Sequence, residues 1–151
     1  MIKFVQPIEE HLVELHRNSR PEEQAEVWAS NLSTVYEAAK SSLEKSIEAY
    51  TALEDDKVMG MLGLCPYGPK MGDTASPWLL TTVLAPKKPR YLLNKKFINK
   101  WNKEWPVLEN FIDARYLASI RWARHLGFTI YDPEPYGPFQ YMFHRIQIRR
   151  N

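Results

Sequence analysis

The centre of the sequence alternates between strand and helix patterns, and this alternation restricts the fold more than any other feature. Trp78–Leu84 reads WLLTTVL, an apolar and β-branched run typical of a buried central strand. A helical pattern follows over 90–105, a second strand over Val107–Ile112, and a second helix over 115–126 that ends at Gly127. Two strands joined by a helix are expected to be parallel neighbours. The centre therefore predicts a mixed α/β sheet.

The remaining patterns extend this sheet at both ends. Strands are predicted at Ile2–Val5, Ile47–Leu53, Val58–Cys65, Phe128–Tyr131 and Phe139–Ile148, and helices at 8–17 and over 21–46, the latter as one long or two short helices. We expect an α/β (α+β) fold with a single mixed sheet of about seven strands and about four helices, in the order βααβββαβαββ. Since no long linker divides the 151 residues, we expect one domain over 1–151.

Charge is distributed unevenly along the chain, although the net charge is only +2. Residues 1–56 contain twelve acidic and five basic residues, whereas 57–151 contain six acidic and fifteen basic residues. Such a dipole can orient the protein toward another protein or a polyanion. Alternatively, the two halves attract each other within one fold.

Several classes of protein are disfavoured by the sequence. No apolar run approaches the roughly 20 residues of a membrane span, so we expect none. The start, MIKFVQPIEEHL, lacks a basic region followed by an apolar stretch, so no secretory signal is expected. Cys65 is the only cysteine, and His11 and His16 fall on different helix faces, so we expect neither a disulfide nor a metal site.

Two motifs carry a resemblance to a known family. Residues 116–128 read YLASIRWARHLGF, with Ser119 and Ile120 in the helix and Leu126-Gly127-Phe128 at its end. Val83-Leu84-Ala85-Pro86 leads from a strand toward a helix. With these motifs and the order of its elements, the chain resembles the GNAT (Gcn5-related N-acetyltransferase) family. The resemblance implies an acetyltransferase-like fold and a phosphate-cradling loop for acetyl-CoA after Pro86.

The chain departs from the family at that loop. Glycines normally let the backbone approach the pyrophosphate closely, but the aligned positions here are Arg90, Leu92 and Asn94. Pro89 has no N–H to donate. The residues that could still contribute to cofactor binding are Val83, Leu84, Lys87, Lys88 and Arg90.

The catalytic positions implied by the resemblance are also altered. The family's general-acid tyrosine aligns with Ala123, and no acidic residue lies in Trp78–Val83 to serve as the base. Tyr116 and Tyr131 are possible substitute acids, as are Tyr136 and Tyr141. We therefore expect a catalytically degenerate protein with no bound cofactor. The alternative is an active N-acetyltransferase that uses acetyl-CoA to modify an amine on a protein or small molecule.

Within this superfamily, the chain is most similar to the internal virion protein group of short-tailed phages. The matching segments are the tryptophan-led strand from Trp78, the basic helix between Lys87 and Trp105, and Ser119-Ile120-Arg121-Trp122 before Leu126-Gly127. This resemblance implies a structural or interaction component of a virion, with phage or host proteins as partners, above all virion core components. The expected location is the virion or the host cytoplasm.

The basic helix is a separate candidate for binding. Residues 87–103 contain seven Lys or Arg and no acid, and Lys96, Lys100 and Lys103 share one face. One interpretation is a surface for a protein or, without sequence specificity, for nucleic acid. The other is a solvated face opposite an aromatic core stripe that includes Phe97 and Trp101.

Overall fold

The computed structural model describes residues 1–67, 72–86 and 91–150. Its strands are β1 (Lys3–Val5), β2 (Glu48–Glu54), β3 (Lys57–Pro66), β4 (Thr74–Thr81), β5 (Val107–Asp113), β6 (Thr129–Ile130), β7 (Glu134–Tyr136) and β8 (Tyr141–Arg149). Its helices are α1 (Glu9–Arg17), α2 (Pro21–Asn31), α3 (Val35–Lys45), α4 (Lys95–Glu104) and α5 (Leu117–Leu126). The strands form one mixed sheet in the order β1-β2-β3-β4-β5-β8-β6, with β7 also paired to β8. The predicted fold class is confirmed.

Among the described residues there is one helix and one strand more than expected. The helical stretch over 21–46 is two helices, because Leu32 adopts a left-handed conformation that ends α2 and the Thr34 side chain then caps α3. The segment between the strands predicted at Phe128–Tyr131 and Phe139–Ile148 contains the short strand β7. The helix predicted from residue 90 starts later, because Asn94 accepts a hydrogen bond from the Phe97 N–H and caps α4.

The sheet separates two layers of helices. Helices α1, α2 and α3 cover one face around Leu15, Val35 and Met61. Helices α4 and α5 cover the other face around Leu62 and the fully buried Trp101. The acidic helices of the first third thus lie across the sheet from the basic helices.

Few ion pairs join the two oppositely charged parts of the chain. Among the ion pairs of the described residues, only Lys100 with Glu48, at 3.1 Å, joins residues 1–56 to the rest. Among the described residues, direct pairing of opposite charges between the two parts is therefore limited to this contact.

Strands β4 and β5 separate soon after they meet. They are parallel neighbours, as predicted, but pair only at Thr74 with Val107 and Ala75 with Leu108. Pro77, two residues later, has no N–H, and its carbonyl accepts a hydrogen bond from the Asn110 side chain at 2.7 Å. Since proline cannot continue the ladder, the strands diverge beyond this point and leave a gap.

Candidate functional site

The gap between β4 and β5 opens into a cavity of about 520 Å³. Its walls come from five elements: the C-terminal half of β4, the middle of β5, helix α2, the first turns of α5, and β8 through Ile146. The Pro77 carbonyl and the Thr81 N–H both point toward the side of β4 that β5 has left. Since peptide groups alternate in direction along a strand, those of Leu79 face the same gap. The cavity therefore contains polar backbone groups of an open strand.

Helix α2 contributes a carboxylate that binds this open strand. Glu23 accepts a hydrogen bond from the Thr81 backbone N–H at 2.8 Å and another from the Thr81 hydroxyl at 2.6 Å. Burial raises the pKa of Glu23 to about 7, although the two bonds from Thr81 act in the opposite direction. Glu23 is therefore held in place and titrates near neutrality.

A second carboxylate, Glu26, lies one helical turn further along α2 and also lines the cavity. Burial raises its pKa to about 8, and the negative charges of Glu23 and Asp113 contribute to the increase. The Asp113 backbone N–H and the Arg115 charge oppose it. No ion pair of Glu26 exists among the described residues. Glu23 and Glu26 thus form an interacting pair that can take up or release a proton near pH 7.

The end of β5 supplies a third carboxylate, which is buried and paired with an exposed arginine, beside this carboxylate pair. Asp113 is fully buried, and the Arg115 guanidinium binds it through Nη2 to Oδ2 at 2.7 Å and Nε to Oδ1 at 3.0 Å. The same guanidinium lies 5.5 Å from the centre of the Tyr116 ring. Tyr116 precedes α5 and lines the cavity, where burial raises the pKa of its hydroxyl.

The structure separates the two favoured substitute acids. Tyr116 is in the cavity with Glu23 and Glu26. Tyr131 lies elsewhere: its hydroxyl donates to Gln147 at 3.2 Å and its ring lies 4.1 Å from the Arg145 guanidinium. Ala123, the usual acid position, is fully buried in the core under α5. Tyr116 is therefore the candidate acid that the fold brings to the cavity.

The candidate cofactor residues after β4 are only partly described. Val83 and Leu84 are exposed in a turn, where the Val83 N–H donates to the Asn18 carbonyl at 2.8 Å and the Leu84 N–H to the Thr82 hydroxyl at 3.2 Å. The remaining candidates, Lys87, Lys88 and Arg90, lie outside the described residues.

Arg20 makes a second set of contacts at this end of β4. Its Nε donates to the Thr82 carbonyl at 3.0 Å and its Nη2 to the Ala85 carbonyl at 3.1 Å. A weaker contact reaches the Pro86 carbonyl at 3.4 Å. One side chain thus engages backbone acceptors where the chain leaves the strand.

The basic residues Lys96, Lys100 and Lys103 of α4 are exposed, but they are not equivalent. Of the three, Lys100 is bound to Glu48 from β2. Trp101, on the opposite side of the helix, is fully buried. Within the described ranges, no helix is both long and apolar enough to cross a membrane, and no group of three or more potential metal ligands is clustered.

Comparison with solved structures identifies the fold. The structure superposes on an N-acetyltransferase from Staphylococcus aureus Mu50 with a TM-score of 0.70 and 16% sequence identity. The superposition covers 99% of this chain and 97% of that protein. A ribosomal-protein-alanine N-acetyltransferase from Brucella melitensis gives a TM-score of 0.69 and 17% identity, with 99% of each chain covered. The chain has the GNAT acetyltransferase fold. A Bacillus subtilis acetyltransferase with this fold was solved in complex with CoA. It gives a TM-score of 0.65 and 16% identity, with 99% of this chain and 98% of that chain covered. No family model and no curated protein matches the sequence.

Sequence reasoning missed the carboxylate pair of this acetyltransferase fold. The acidic residues that follow Pro21 suit the start of a helix, and that interpretation accounts for Glu23 without any cavity. A signal was nevertheless present. Glu23 and Glu26 are three residues apart and adjoin the buried Val27, so they share the inward side of α2. Carboxylates on a buried helix face indicate a site, because their desolvation is costly.

The carboxylate pair predicts a specific pH dependence of stability. Glu23 and Glu26 have pKa values of about 7 and 8 in the folded protein, against an ordinary value of 4.5. The folded state therefore holds more protons than the unfolded state between these values, so the free energy of unfolding should fall as pH rises through this interval. Urea unfolding at pH 5.5 and pH 8 measures the fall, and the Glu23→Gln/Glu26→Gln double variant should lose most of it. An equal fall in the variant would contradict the prediction.

Proposed function

We propose that the protein is an acyl-CoA-dependent N-acyltransferase that modifies an amine. The proposal rests on one observation above all: two carboxylates that titrate near neutrality line the cavity where β4 and β5 diverge. A general base works best when its pKa lies near the working pH, and an amine acceptor must lose a proton as it is acylated. The acetyltransferase fold of the chain is consistent with this chemistry.

The open strand suits the donor. Acyl-CoA carries an extended arm with amide groups, and such an arm can pair with the free peptide groups of a strand edge. Leu79 offers those groups in the gap, and the cavity volume of about 520 Å³ is within the range of small-molecule sites. When bound, acyl-CoA supplies an acyl group activated as a thioester. The contribution of Lys87, Lys88 and Arg90 to its phosphates is a proposal that rests on their charge alone.

Acyl transfer to an amine needs a base for the amine proton and an acid for the leaving thiolate, and the cavity offers one side chain for each role. Glu26 is the proposed base, because Glu23 accepts two hydrogen bonds from Thr81, whereas Glu26 interacts with the Asp113 backbone N–H and has no ion pair among the described residues. The negative charge of Glu23 keeps the proton affinity of Glu26 high. Tyr116 holds a phenolic proton in the same cavity and is the proposed acid. Glu26 and Tyr116 would thus take over the roles of the family's base and acid, whose usual positions in this sequence carry no suitable residue.

A transfer assay tests the proposal directly. The protein is incubated with acetyl-CoA labelled in the acetyl group and with primary amines of increasing size, a lysine-rich peptide included. Transfer of label to an amine, with release of an equal amount of free thiol, is expected. No transfer above the buffer rate in a folded sample would overturn the proposal.

A second candidate is a catalytically degenerate protein that acts as an internal virion or interaction component. Two observations favour it: Arg20 already engages the carbonyls at the end of β4, and Ala123 fills the usual acid position within the core. The resemblance to phage internal virion proteins points the same way. Calorimetry with acetyl-CoA discriminates between the candidates, since binding at micromolar or lower Kd with 1:1 stoichiometry counts against this one.

A further inference from the structure

A second cavity of about 280 Å³ adjoins the first. Its walls come from β5, the segment around β7, and β8, so it belongs to the hairpin side of the sheet. Phe111 lines both cavities. This one residue of β5 therefore stands between the site of the carboxylate pair and the additional space.

Phe111 is part of a wall of aromatic rings. Its ring stacks on that of Tyr136 with centroids 4.4 Å apart and an interplanar angle of 14°. Tyr136 in turn contacts the buried Phe143 at 5.2 Å between centroids. The rings of Phe111 and Tyr136 come from β5 and β7, and each of these strands pairs with β8, which carries Phe143. Because the backbones on which these rings sit are paired, the wall is a fixed partition.

The chemistry beyond the partition differs from that of the first cavity. Asp132 and Glu134 are exposed at the second cavity and take part in no ion pair among the described residues. Arg145, which also lines it, is bound to Glu109 at 2.9 Å. Arg145 is thus bound to a carboxylate outside this cavity, although the charge of Glu134 also acts on it, and both exposed carboxylates are accessible to a ligand.

We infer that Phe111 determines acceptor specificity by closing the acceptor pocket at the first cavity, so that the protein selects compact amines. This inference rests on the proposed function and names the size limit of the acceptor. Without the Phe111 ring, the two cavities would join into a longer pocket. That pocket would take an amine whose second positive charge reaches Asp132 and Glu134.

The test compares Phe111→Ala with the unchanged protein on two probes, n-butylamine and spermidine. The ratio of kcat/KM for spermidine to that for n-butylamine should rise by about tenfold or more in the variant, a change typical of pocket-size effects. Phe139→Ala is the matched control, because this ring is 45% exposed and lines neither cavity. A ratio that is equal in Phe111→Ala and the unchanged protein would overturn the inference.

Binding of the same amines, measured by calorimetry without acyl donor, separates the two possible failures. If the unchanged protein transfers no acyl group but Phe111→Ala binds spermidine about tenfold more tightly, the proposed function fails and the size limit stands. If transfer occurs and neither the ratio nor the affinity changes, the size limit fails alone. Should Phe111→Ala not fold, Phe111→Leu removes less of the ring and should move the ratio in the same direction. An unchanged ratio in Phe111→Leu would also overturn the inference.

Discussion

Replacing Glu26 by Gln is expected to lower kcat for acyl transfer by about 10²- to 10⁴-fold, the contribution of a positioned general base. Gln has nearly the same shape as Glu but cannot accept the proton of the amine. Glu26 lines the cavity and titrates near neutrality, so it is the side chain on which this loss should fall. Steady-state rates at saturating acetyl-CoA measure the effect.

The pH profile gives the Glu26 prediction a second readout. Because the base must be deprotonated, kcat of the unchanged protein should rise with pH through the neutral range, and this rise should be lost in Glu26→Gln. Glu44→Gln makes the same chemical change at an exposed position of α3 outside the cavity, and should leave both rate and profile unchanged. Equal rates for Glu26→Gln and Glu44→Gln would remove Glu26 from the mechanism.

Replacing Trp101 by Ala is expected to lower the free energy of unfolding by about 3–5 kcal/mol, as for other large-to-small changes in a core. Trp101 is fully buried between α4 and the sheet, and its ring contacts Phe97 with centroids 5.4 Å apart. Its indole N–H donates to Glu48 at 3.2 Å, so the variant also loses a hydrogen bond to a charged group. Equilibrium unfolding in urea measures the loss.

Trp28→Ala is the matched control for Trp101→Ala. Trp28 lies on α2 with 51% of its surface exposed, so its removal should change the free energy of unfolding by about 0.5 kcal/mol or less. A loss of similar size in the two variants would show that burial of Trp101 does not dominate the stability of this layer.

The fold was predictable because local patterns and chain order agree. The run from Trp78 to Leu84 and the strand Val107–Ile112, separated by one helix, correctly gave a parallel central pair. The boundaries were harder to locate. Strand β4 begins at Thr74, four residues before the predicted start at Trp78. The prediction started too late because Pro77 is normally a sign that a strand has not yet begun, although this strand contains it.

The candidate site was less predictable, because it depends on which surfaces meet across the sheet. The resemblance implied that a base should be sought on the central strand, and that strand has none. The carboxylates come instead from α2, which contacts β4 through the bonds between Glu23 and Thr81. A contact between residues 58 positions apart leaves no periodic signal in the sequence. Only the nearby Tyr116 was already a candidate, and it was chosen for its chemistry rather than its position.

The break that Pro77 introduces has a consequence for how a ligand enters. The Pro77 nitrogen has no hydrogen, and the Pro77 carbonyl already accepts a hydrogen bond from the Asn110 side chain. A ligand can therefore enter at this point without breaking a backbone hydrogen bond between β4 and β5. The crevice is preorganised, so the free energy of association is not reduced by the cost of parting the sheet.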